Sequence, residues 1–168
     1  PKTTTNNISI LIITDALVEH GIWSRTKLTL FMTDLINELS KKSEFIFSFK
    51  IHPASEDKKI YQNLLEKLEI NSEIYQNEDV WDIMEKYDLV LTFGCSTIHS
   101  ELSLIGVKTI LLDFNFNFTL FSFVKEGIEF GNIMMCTDIH HLNNMIIDFT
   151  KRTVIPNKSF ISAREKLF

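Results

Sequence analysis

Apolar positions in this chain fall into two kinds of run that alternate from end to end. Residues 8–14 are almost continuously apolar, as a strand buried on both faces requires. Runs of the same kind occur at 45–51, 73–75, 89–93, 107–114 and 132–136, and predict five further strands. Between them the apolar spacing turns helical. After the loop at 15–23, Leu28, Phe31, Met32, Leu35, Ile36 and Leu39 share one face behind Ser24, a suitable N-cap. Residues 56–68 read as an amphipathic helix with Ile60, Leu64, Leu65 and Leu68 on one side. Asp79 caps a short helix through Tyr87, Ser96 or Thr97 opens one that Gly106 closes, and residues 139–151 form another. Such alternation predicts the α/β class: an open parallel sheet of about six strands with helices on both faces. The expected organisation is a linker or tail at 1–7, a domain at 8–155 and a C-terminal helix at 156–168 behind Pro156.

Composition narrows the partners. The 168 residues suit one domain, and a hydrophobic share of 45% supports a substantial core. Net charge is −5 and no basic tract is present, which argues against a nucleic-acid partner. A nucleotide needs only one or two local donors. Cys95 and Cys136 have no zinc or disulfide spacing and lie in or beside apolar runs, so both are expected to be reduced and buried. His140 and His141 lack a carboxylate or cysteine at metal spacing, and neither metal nor cofactor is expected. No apolar run approaches the ~20 residues that span a bilayer. No transmembrane segment or signal peptide is expected, and the placement is cytoplasmic or at the inner face of the membrane. The opening residues 1–7 and the end at 161–168 read as cuts from a longer protein, which would leave the fragment inactive by itself.

The candidate chemistry sits where strands end, the position at which open α/β sheets bind ligands. In Lys50-Ile51-His52-Pro53 the proline stops the second strand and holds the preceding residue extended. That presents the His52 imidazole at the rim as a donor to a phosphate oxygen, able to steady charge on a departing nucleotide. Alternation puts Lys50 on the same side as His52, for phosphate contact or as a solvated strand-end lysine. Gly94 lets backbone approach a ligand closely, and Ser96 and Thr97 add hydroxyls to a helix start that favours anions. Plain N-capping is the alternative use of that pair. Glu101, four residues beyond Thr97, lies on the same helical face and can accept from both ribose hydroxyls or face solvent. His99 is read as a surface residue. Asp15, Glu19, His20 and Arg25 surround the loop after the first strand, which either touches an acceptor or the nucleotide's phosphates or, the preferred reading, is polar surface; Asp113 ends the fifth strand and can also face the cleft. The Phe-rich stretch 114–123 packs into the core or forms a patch covered by another domain or subunit.

At these residues the chain resembles the C-terminal half of GT-B-type glycosyltransferases, above all bacterial capsule and surface-polysaccharide transferases of the sialyltransferase-like and glycerophosphotransferase-like kinds. Those families carry a Lys-x-His-Pro-like motif, here Lys50 to Pro53, and a Ser-Thr-x-x-x-Glu-like motif, here Ser96 to Glu101. Residues 80–92 also resemble their short helix and following strand. The resemblance implies a Rossmann-like domain, one half of a GT-B architecture, that binds a CMP-, CDP- or UDP-linked sugar donor. It implies His52 as the catalytic group on the donor phosphate, with Lys50, Gly94, Ser96, Thr97 and Glu101 binding the nucleotide. It also implies an N-terminal domain of the same protein that supplies the acceptor-activating base. UDP-N-acetylglucosamine 2-epimerases share the His-Pro turn, but have a Gly-Gly-type loop and a later arginine where this chain has Ser96-Thr97 and Asp113-Phe114-Asn115-Phe116. The rival readings are therefore half of such an epimerase, or a non-catalytic α/β module that docks a partner through its Phe-rich patch.

Overall fold

The computed structural model describes residues 7–94, 97–113 and 122–153. The chain forms two compact units, Pro1–Asp88 and Leu89–Phe168. The first unit holds three parallel strands in the order β3-β2-β1, and the second holds three in the order β4-β5-β6.

In the first unit, β1 (Ile8–Ile13) pairs in parallel with β2 (Phe45–Lys50), from Ile8 opposite Phe45 to Ile13 opposite Lys50. A short β3 (Ile74–Tyr75) pairs with the end of β2. Ile10, Leu11, Ile12 and Phe49 are fully buried, which is what continuous apolar runs in a two-sided strand serve. Helix α1 (Arg25–Leu39) starts at Ser24, whose hydroxyl accepts from the Lys27 amide at 3.1 Å. Its buried face carries Leu28, Met32, Leu35, Ile36 and Leu39. Helix α2 (Lys58–Lys67) is capped by Asp57, and α3 (Val80–Met84) by Asp79, each at 3.0 Å from a backbone N–H two residues on. The helix expected to begin at residue 56 thus begins later, because Asp57 takes the cap and Glu56 turns inward.

In the second unit, β4 (Leu89–Thr92), β5 (Thr109–Leu112) and β6 (Ile133–Cys136) pair in parallel. Helix α4 (Ile98–Ile105) ends at Gly106, whose φ of +75° suits glycine as a helix terminator. A 3-10 turn (Ile139–His141) leads into α6 (Leu142–Lys151). Helix α5 (Ser122–Glu129) has no counterpart in the sequence reading. It is short, holds Gly127 near its middle and follows a Phe-rich stretch, so its own helical signal is weak. It forms because Val124 packs, fully buried, with Leu111 of β5 and Ile133 of β6. Cys136 is buried with a free thiol that burial pushes to a higher pKa, as expected for a reduced core cysteine. Cys95, the stretch 114–121 and the expected helix at 156–168 lie outside the described residues. No helix among the described residues is long and apolar enough to cross a membrane.

Candidate functional site

Backbone bonds hold the strand ends of the first unit in step. The Thr14 amide donates to the Lys50 carbonyl at 3.0 Å, and the Ile51 amide to the Tyr75 carbonyl at 3.0 Å. Beyond that level Ile51 is buried, whereas His52, Pro53 and Ala54 are exposed. The chain then turns back, and Glu56 is 5% exposed.

The Glu56 carboxylate gathers three donors. The Thr14 hydroxyl and, at 2.6 Å, the His52 backbone amide donate to Oε2, and the Tyr61 hydroxyl donates to Oε1. The Tyr61 phenol is held well above its ordinary pKa, first by burial and then by the neighbouring Glu56 carboxylate. The outer side of the same turn is tied to the end of β3, since Gln76 Nε2 donates to the Glu56 carbonyl at 2.9 Å. Inside the turn, the Ala54 amide donates to His52 Nδ1 at 3.4 Å. The imidazole therefore stands exposed on a turn that the protein grips from two sides. With Nδ1 accepting, the neutral ring carries its proton on Nε2, where it serves as an outward donor.

Lys50 takes a different position from the one its alternation with His52 leads one to expect. It is 7% exposed, and its ammonium donates to the Gln76 carbonyl at 2.8 Å and to the Ile51 carbonyl at 3.1 Å. Desolvation lowers its pKa, opposed by the charges of Glu78, Asp79 and Glu56. Its visible work is to clamp the loop after β3 to the end of β2. Glu19 and His20 are exposed as read from the sequence, while Asp15 is buried at the end of β1. Loop 15–23 closes on Trp23, which meets Phe31 edge-on with ring centroids 5.2 Å apart and carries the Lys27 ammonium 4.6 Å over its ring.

In the second unit, β4 runs into buried Phe93 and then Gly94, whose φ of +91° lies in the region open to glycine. Thr97 is exposed just before α4, and Glu101 is half-buried in the helix's first turn. Ser96 lies outside the described residues. His99 corrects the sequence reading: it is 1% exposed, with Nε2 2.9 Å from the Thr92 hydroxyl. Its helical position turns it from the Thr97–Glu101 side towards the end of β4, where Thr92 offers a polar partner. Asp113, half-buried, follows β5 and donates its amide to the Cys136 carbonyl at 2.9 Å. Among the described residues no group of three or more His, Cys, Asp or Glu side chains could hold a metal ion.

Sequence reasoning missed Glu56 altogether. Its partners lie at positions 14, 52 and 61, and no local signal sets it apart from an ordinary first-turn glutamate.

No family model and no curated protein sequence matches the chain. Solved structures do. A protein from Listeria monocytogenes described as a UDP-N-acetylglucosamine 2-epimerase aligns with a TM-score of 0.59 and 14% identity, over 96% of this chain and 44% of that one. The UDP co-structure of S. aureus MnaA aligns with a TM-score of 0.59 and 15% identity, again over 96% of this chain and 44% of that one. The fold is GT-B-like. The chain spans less than half the length of either structure, and corresponds to one Rossmann-like half of such an architecture.

Proposed function

We propose that this chain is the nucleotide-sugar-binding domain of a glycosyltransferase that builds a surface polysaccharide. The observation that carries the reading is the exposed His52 imidazole, held on a doubly anchored turn at a strand end with Nδ1 already engaged. Such a ring offers an Nε2–H donor of fixed origin to a phosphate oxygen. Two backbone carbonyls occupy the Lys50 ammonium, so in this reading Lys50 secures the turn while His52 meets the donor. Gly94 gives backbone access, Thr97 contributes its hydroxyl just before α4, Ser96 is assigned to phosphate by its sequence motif alone, and Glu101 receives the ribose hydroxyls.

The reaction is displacement at the sugar's anomeric carbon. The bond from that carbon to the phosphate oxygen breaks, the acceptor oxygen bonds to the carbon, and the nucleotide leaves with the electron pair. His52 stabilises the charge that grows on the leaving phosphate, and the remaining contacts hold the donor in place. A base supplied by another domain takes the acceptor's proton.

The fold likeness favours a second reading, half of a UDP-N-acetylglucosamine 2-epimerase-like enzyme. Both readings share the nucleotide-sugar pocket, so titration calorimetry with CMP, CDP, UDP and their sugar conjugates comes first. Saturable binding is expected, weakened by about 1–3 kcal/mol in His52→Ala. An unchanged affinity removes His52 from the site, and no binding at millimolar nucleotide favours the docking-module alternative. Products of the full-length protein then separate the chemistries: inversion at sugar C2 marks an epimerase, and loss of the sugar to an acceptor marks a transferase.

A further inference from the structure

We infer that Glu56 is the positioning residue for His52: its buried carboxylate, through the His52 backbone N–H, sets where the imidazole stands and so its donor capacity towards phosphate. The inference rests on the reading of His52 as the phosphate donor and names the group that makes that reading work.

Three observations converge on it. Glu56 is almost fully buried, yet it does not cap α2, because Asp57 does so through the Lys59 amide. Its Oε2 instead accepts the His52 amide at 2.6 Å, at the residue where the chain leaves β2. Its other donors, Thr14 and Tyr61, come from the end of β1 and from α2, so the carboxylate is held from two further elements. A buried carboxylate keeps its donors because an unpaired charge there is costly. The His52 backbone is thereby tied to the frame of the unit while the ring remains outside. Two residues on, in the same turn, the Ala54 amide reaches His52 Nδ1 at 3.4 Å. Glu56 does not touch the ligand in this scheme. It fixes the backbone, the backbone brings Ala54 N–H to Nδ1, and the neutral ring's proton stays on Nε2.

The test uses the full chain, labelled with nitrogen-15. Long-range proton–nitrogen spectra, recorded where the ring is neutral, should show His52 of the wild type as the Nε2–H tautomer; an Nδ1–H ring overturns the inference. Glu56→Ala should shift His52 towards the mixture of an unrestrained imidazole. It should also weaken CDP or UDP binding about tenfold, the scale of one charge-assisted hydrogen bond. In a His52→Ala background the same change should cost no further affinity. Glu56→Gln keeps an acceptor facing the His52 amide and should restore both readouts. Tyr61→Phe should lower the melting temperature yet leave affinity and tautomer intact. If affinity instead falls in step with stability across Glu56→Ala and Tyr61→Phe, Glu56 is an ordinary core contact and the inference fails. Should Glu56→Ala not fold, the wild-type tautomer and the Gln and Phe variants decide. Absence of nucleotide binding in the wild type defeats the reading of the site; the tautomer comparison between wild type and the Glu56 variants then decides Glu56 alone.

Discussion

The buried imidazole of His99 sits 2.9 Å, Nε2 to Oγ1, from the hydroxyl of Thr92. The contact joins the last residue of β4 to the first turn of α4, so it helps set where the helix starts. Thr92→Val keeps the shape and removes the hydroxyl, depriving a buried ring nitrogen of this partner. The expected loss is about 1–3 kcal/mol of folding free energy. The urea-unfolding midpoint checks it, and a midpoint equal to wild type would return His99 to the surface role that its sequence context suggests.

Glu101 offers a test of how a nucleotide is recognised. If its carboxylate receives the ribose hydroxyls, Glu101→Gln should weaken binding of a ribonucleotide about fivefold, the effect of one modest hydrogen bond. The matching 2′,3′-dideoxynucleotide should bind both proteins alike. Equal losses for the two ligands would assign Glu101 a different contact.

Tyr61 predicts the alkaline limit of the first unit. Burial and Glu56 hold its phenol above the ordinary value in the folded chain. Above about pH 10 the unfolded chain therefore releases this proton while the native chain retains it. The native state binds more protons, so stability is fully present below that pH and falls as pH rises further. Tyr61→Phe should be less stable than wild type near neutrality, by about 1–3 kcal/mol. The gap should narrow between about pH 9 and about pH 11, as followed by denaturant unfolding at each pH.

Lys50 acts on the other side of the same pH. Desolvation lowers its pKa in the folded state, so the unfolded chain binds more protons between that lowered value and the unfolded value of about 10.4. Its contribution is fully present above the unfolded value and is lost as pH falls through the folded one. The unfolding free energy of wild type minus that of Lys50→Met should therefore increase with pH through this window. A difference that stays flat would mean that Lys50 is as well solvated in the native chain as in the unfolded one.

Much of the architecture is legible along the chain because two-sided burial leaves a direct mark. The residues of β1, β2, β4, β5 and β6 are largely apolar, and helices whose caps are Ser24 or Asp79 announce their starts, whereas Asp57, a cap the sequence reading passes over, displaces the start of α2. Helix α5 carries no such mark, since Val124 earns its place only by meeting Leu111 and Ile133. His52 is legible as an exposed strand-end group because Pro53 stops the strand and orients its neighbour. Lys50 is misleading for a local reason: alternation tells which side a residue leaves from, but not that the carbonyls of Ile51 and Gln76 close over its ammonium.

By itself the sequence determined the α/β order, the strand-end location of the His52 turn and the glycine-led entry to α4, because these follow from periodicity and from proline and glycine backbone limits within a few residues. Only the tertiary structure decided that Glu56 is buried beneath that turn, that Lys50 is a clamp and that His99 is interior. Each depends on donors or acceptors from separate elements, and a buried polar group takes its role from whichever partners folding places within hydrogen-bond reach.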